Sequence, residues 1–175
     1  MKMRRIVFAE SKDGAVVRTT DMLDTEITPI GNVWGFDNLP RLPLRPEQAL
    51  ADYKGLGIFG PKNSVRVDIM SLAPEKAGQA PDLGGMVSKV DLGTGGGMTQ
   101  GKYGGGMHRT DTIDLNFVLR GATDIDYPGE DGQIRTVTVR EGDLVVMSAF
   151  HEWRNRSNAE CVVALFVFAT DRTAD

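Results

Sequence analysis

The chain has 175 residues, of which 41% are hydrophobic and 25% charged, and a formal net charge of −4. That length suits one domain with a substantial core, the composition excludes a mainly disordered chain, and an acidic balance with no clustered Lys/Arg face argues against nucleic acid as a partner. The longest apolar run, 161–169, is about half the roughly 20 residues of a membrane helix, and the apolar residues 6–9 behind the basic start are too few for a signal-peptide core, so no membrane partner is expected and the cytoplasm is the expected compartment.

Short alternating or β-branched runs separated by Gly, Pro, Asn and Asp predict an all-β chain with frequent turns. Residues 4–9 and 15–19 flank Lys12, Asp13 and Gly14 and read as an N-terminal hairpin, and 32–36 reads as a further strand. Pro46 in a first helical turn, followed by Glu47, Gln48, Ala49, Leu50 and Ala51, predicts one short helix. The run 64–72 alternates, with Val65, Val67 and Ile69 on one face and Arg66, Asp68 and Met70 on the other, as a half-buried strand does; 86–92 repeats the pattern more weakly. Eight glycines between 93 and 106 preclude a regular element. With no following Lys-Ser/Thr pair and helix, they form a surface loop or a pocket lid, not a phosphate cradle. From 113 onward strands are expected at 113–119, 123–127, 134–139, 144–147 and 161–170, the spacing of a barrel or sandwich. Residues 1–60 then read as an N-terminal extension and 61–175 as the barrel. The single cysteine, Cys161, excludes an intramolecular disulfide and reads as a buried small hydrophobe.

Both histidines of the chain fall in the strand-rich half. Residues of equal parity share a face of a strand, so His108, Thr110, Asp114 and Asn116 can look into one cavity, as can His151, Trp153 and Asn155. Arg109 and Arg154, of opposite parity, are expected at the surface or an interface. Buried histidines in a β core are either hydrogen-bonded structural groups or ligands; two imidazoles converging with the Asp114 carboxylate would make a divalent-metal site with open positions. Met147 and Trp153 would line the pocket as apolar walls, and Asn155 would fix the turn behind its strand through side-chain to backbone bonds.

The stretch from Gly106 through His108, Thr110 and Asp114 to Gly121 resembles the first motif of the cupin superfamily, and the stretch from Gly142 through His151 to Asn155 resembles the second. The start Arg4-Arg5-Ile6-Val7 is similar to that of a bacterial and fungal subgroup of small cupins. The resemblance is strong over 106–170 and weaker before. It implies a cupin double-stranded β-helix, a jelly-roll barrel, with an N-terminal β extension and a short helix. It also implies a divalent metal (iron, manganese, zinc or nickel) on His108, His151 and Asp114, with Thr110, Asn116, Trp153 and Met147 around it. Thr110 stands where that motif has its second histidine, and Asp114, one methylene shorter, where it has glutamate. The function implied is a metal-dependent enzyme of dioxygenase, decarboxylase or isomerase type acting on a small organic acid or aromatic metabolite, or else a non-catalytic small-ligand module without metal. A homodimer is the implied assembly.

Overall fold

A computed structural model describes residues 2–24, 30–51, 57–76, 98–100, 103 and 105–173. The expected hairpin is present as β1 (Lys2–Glu10) and β2 (Val16–Asp24), and is followed by β3 (Ile30–Phe36) and the short helix α1 (Pro46–Ala51). Next come β4 (Val65–Leu72) and the two-residue strands β5 (Thr99–Gln100) and β6 (His108–Arg109). The dense half supplies β7 (Thr112–Arg120), β8 (Ala122–Pro128), β9 (Ile134–Arg140), β10 (Leu144–Met147), β11 (Glu152–Arg154) and β12 (Cys161–Ala169). The weak strand expected at 86–92, and most of the glycine-rich loop, lie outside the described residues.

Eight of these strands form two antiparallel sheets, one in the order β10-β7-β12-β4-β3 and the other β11-β8-β9. From β7 onward the chain passes back and forth between them, since β7, β10 and β12 lie in the first and β8, β9 and β11 in the second. This is a jelly-roll, double-stranded β-helix layout. The turn from β7 to β8 needs Gly121, whose φ is +81° and whose would-be Cβ would stand 2.6 Å from the Glu160 carbonyl oxygen. The segment expected as an extension contributes β3, which is hydrogen-bonded to β4 as the outer strand of the larger sheet.

β12 is apolar almost throughout because both its faces are covered. Cys161, Val163, Leu165 and Val167 point between the sheets, where they meet Met70 and Leu72 of β4, Val118 of β7, Ile125 of β8 and Val139 of β9. Val162, Ala164 and Phe166 point outward and pack with Val33, Val67 and Ile69 beneath Met3 of the hairpin. β4 is therefore covered on both faces, not half-buried. Its valine and isoleucine face lies under the hairpin, while Arg66 and Asp68 face the interior together with Met70 and Leu72.

Cross-strand register divides this interior into an apolar and a polar end. Met70, Val163 and Val118 share one row across β4, β12 and β7; Asp68, Leu165 and Asn116 share the next; Arg66, Val167 and Asp114 share the one after. Beyond them Thr112 lies opposite Ala169. Buried Arg66 is satisfied by donating to the carbonyls of Gly57 at 2.9 Å and Phe36 at 2.7 Å and to the Asp37 carboxylate at 2.5 Å.

Candidate functional site

Past the end of the β7–β10 ladder both strands leave the large sheet, and there His108 and His151 face each other as an isolated antiparallel pair. The His108 N–H donates to the His151 carbonyl at 3.0 Å, and the His151 N–H to the His108 carbonyl at 2.9 Å. Their rings are 4.6 Å apart between centroids and inclined at 53°. The two rings are anchored alike, with Nδ1 of His108 2.8 Å from the Gly106 carbonyl oxygen and Nδ1 of His151 2.8 Å from that of Ala149. A carbonyl only accepts, so Nδ1 carries the hydrogen in each, and a neutral ring keeps its lone pair on Nε2. Burial, and secondarily the neighbouring His108, lower the His151 imidazole to about 4, against the Ala149 carbonyl, which raises it. His151 is therefore neutral at ordinary pH.

Glu152, which the sequence reading passed over, holds the loop that carries one of these anchors. Its side chain is buried, its Oε1 accepts from the Gly106 N–H at 3.0 Å, and the Arg154 guanidinium stands 3.8 Å away. Gly105, at φ +61°, lets the loop come this close, since a Cβ there would lie 3.1 Å from Glu152 Oε2. Gly106 thus links the Glu152 carboxylate, through its own N–H, to His108 Nδ1, through its carbonyl. The available signal was that Glu152 is a carboxylate adjacent to a histidine and of opposite parity.

The other expected residues divide. Thr110 is buried, but its hydroxyl is engaged with that of Thr112 at 2.6 Å. Met147 belongs to the apolar core and Trp153 packs against it, so both are walls of the interior. Asn116 is buried on the inward face of β7. Asn155 fixes its turn as expected, donating to the carbonyls of Leu72 at 2.6 Å and Ala159 at 2.8 Å and accepting from the Ser157 hydroxyl at 2.7 Å. Arg154 forms a two-pronged ion pair with Glu75 at 2.5 and 2.8 Å. Arg109, expected at the surface, is half-buried with its guanidinium 4.9 Å from the Phe150 ring centroid.

Asp114 does not join the histidines. Among the described residues no three His, Cys, Asp or Glu side chains are grouped so that they could hold an ion. The reason is positional: Asp114 sits within the regular ladder, opposite Met147, whereas the histidines lie past its end, where both strands have turned. Burial raises its carboxyl to about 6, against a hydrogen bond with Thr112, and its Oδ1 has no partner. Among the described residues the donors offered at this place are thus two imidazoles, of a type that suits a borderline divalent ion, and they do not make a three-ligand site.

No protein-family model and no curated protein matches the chain. Among solved structures it is similar to an oxalate oxidase in complex with the substrate analogue glycolate, at 14% identity and a TM-score of 0.38 over 61% of this chain and 43% of that one. It is also similar to a Bacillus subtilis oxalate decarboxylase, at 17% identity and a TM-score of 0.37 over 63% of this chain and 22% of that one. A third is a protein with a double-stranded β-helix domain from Klebsiella pneumoniae subsp. pneumoniae, at 12% identity and a TM-score of 0.38 over 75% of this chain and 93% of that one. The chain thus spans less than half the length of the oxalate oxidase it matches. The strand order decides the fold type. It is a double-stranded β-helix, a jelly-roll fold. Within it, no described helix is long and apolar enough to cross a membrane.

Proposed function

We propose that this cupin-type chain binds a divalent transition-metal ion through Nε2 of His108 and Nε2 of His151, and uses the pair to hold a small oxygen-donor metabolite at the polar end of the sandwich. The observation that carries this reading is the common anchoring of the two rings, which leaves both Nε2 lone pairs uncommitted. Neutral His151 suits a Lewis acid and does not suit direct ion pairing with an anionic ligand. An ion bound there would polarise an oxygen of the ligand. The protein's part is to orient the rings, through Gly106, Ala149 and Glu152, and to wall the ligand with Thr110, Asn116, Trp153 and Met147. Iron, manganese, zinc and nickel all accept imidazole. The cytoplasm remains the compartment we assign.

The second reading is the non-catalytic small-ligand module, favoured by the absence, among the described residues, of a third His, Cys, Asp or Glu grouped with the pair. Metal content after dialysis against each of the four ions, followed by desalting, separates the two. Wild type is expected to retain about one ion per chain, as a single site requires. His108→Ala and His151→Ala are each expected to lose it while the β-sheet signal in circular dichroism persists, and Asp114→Ala to keep it. Wild type retaining none of the four ions would remove the metal reading and leave the module.

The large sheet's outer surface supports the homodimer. The hairpin covers its β3–β4–β12 half, but Ile113, Phe117 and Leu119 of β7 and Leu144 and Val146 of β10 are exposed beside it. A solvated face of an antiparallel sheet alternates to polar residues, and this one does not. β10 ends the sheet's order beside the patch, so a second copy can pair with it antiparallel about a twofold axis.

A further inference from the structure

The ladder between β7 and β10 does not run straight on to the histidine pair. Its last rung sets Asp114 opposite Met147, yet residues 109–113 lie between Asp114 and His108 and only 148–150 between Met147 and His151. The segment leading to His108 is thus the longer by two residues, and no strand pairing joins the two segments across this interval. The Arg172 guanidinium spans it. Its Nη2 donates to the Thr110 carbonyl at 2.8 Å and to the Ser148 carbonyl at 3.1 Å, and its Nε donates to the Asp111 carboxylate at 2.9 Å. Thr110 and Asp111 belong to the longer segment and Ser148 to the shorter, so one side chain ties both. The tail that carries Arg172 is itself held without this side chain: the Thr170 N–H donates to the Asp111 carbonyl at 3.0 Å, the Ala169 N–H to the Ser64 carbonyl at 3.1 Å, and Lys62 pairs with Asp171.

We propose that Arg172 is a positioning residue for the His108–His151 pair, fixing the separation of the two segments where the sheet no longer does. The inference rests on the reading of that pair as a metal site. A guanidinium is planar and presents its donors in fixed directions, so bonds from one edge of it to both segments set their spacing as well as their contact. The Asp111 ion pair is partly exposed, and such pairs contribute little to stability by themselves. Orientation is the larger part of the role. The sign of the effect on metal binding separates the two ways in which Arg172 could act. Its positive charge repels a nearby cation, so a purely electrostatic role predicts tighter metal binding once the charge is removed, whereas positioning predicts weaker binding.

The probe is zinc chloride, titrated into chelator-stripped full-length wild type, Arg172→Ala and Lys62→Ala, beside hydrogen exchange of the His108 and His151 backbone amides without metal. Arg172→Ala should weaken zinc binding about 10–100-fold, as loss of a partner that orients a ligand does. It should also speed exchange of both amides at least about tenfold while the β7–β12 ladder exchanges as before. Lys62→Ala, which removes another tie of the same tail, should change neither. Arg172→Lys keeps the charge but not the planar fork; it should behave as the alanine variant does, and it takes that variant's place if the alanine form does not fold. Zinc binding that is unchanged or tighter in Arg172→Ala, unchanged amide exchange, or equal losses in Lys62→Ala would overturn the proposal. Wild type that binds no zinc would remove the metal reading alone, and the amide exchange would still decide whether Arg172 holds the pair.

Discussion

Burial raises the Asp68 carboxyl to about 7, against the Asn32 hydrogen bond and the Arg66 charge, while Asp114 adds to the rise. Burial lowers the His151 imidazole to about 4. The consequences for stability have opposite signs. Between its ordinary value near 4 and about 7, Asp68 holds a proton in the folded chain that the unfolded chain has lost, so stability falls as pH rises through that window. Between about 4 and 6.5 the unfolded chain holds a proton on His151 that the folded chain lacks, so stability rises. Asp68→Asn removes only the first effect. In chelator-treated protein its stability should gain on wild type between pH 4 and 7.5 by on the order of 2–4 kcal/mol, read from urea midpoints at the two ends. Parallel pH profiles would show that Asp68 ionises normally. At this scale the histidines and Asn155 were legible in the sequence because motif position and parity agree. Asp68 and Arg66 were not, because alternation cannot say which face of a strand is the interior when the outer face is also covered.

At the scale of elements, the turn between β11 and β12 hangs on Asn155, which ties its own segment to the end of β4 through the Leu72 carbonyl. Asn155→Ala leaves that carbonyl and the Ala159 carbonyl without this donor in a buried setting. The expected cost is about 2–3 kcal/mol, seen as a lowered denaturant midpoint with an unchanged slope; a loss below about 0.5 kcal/mol, the ordinary surface range, would mean that the turn is held by Ser157 and backbone alone. Most long strands were readable from periodicity. β11 was not, since three residues give no period, and the two-sided burial of β4 depends on a hairpin far away in sequence. Asp114 reads as a ligand when strand parity is carried straight from 108 to 116, and the chain's turn between His108 and β7 breaks that continuity.

At the scale of the molecule, the exposed apolar surface on β7 and β10 should place two chains together. Sedimentation equilibrium at micromolar concentration should give twice the 19.0 kDa chain mass, and Phe117→Glu with Val146→Glu should return the monomer without loss of fold. A wild-type monomer would contradict this. The proposed site depends on two imidazoles sharing one orientation, and only two histidines are present to observe. Long-range nitrogen–proton correlation on chain labelled with ¹⁵N-histidine reads the tautomer of each ring directly. At neutral pH, both rings should show the hydrogen on Nδ1 and a bare Nε2, and one equivalent of zinc should shift both Nε2 resonances together. A hydrogen on Nε2 of either ring, or zinc moving one ring and not the other, would contradict the shared site.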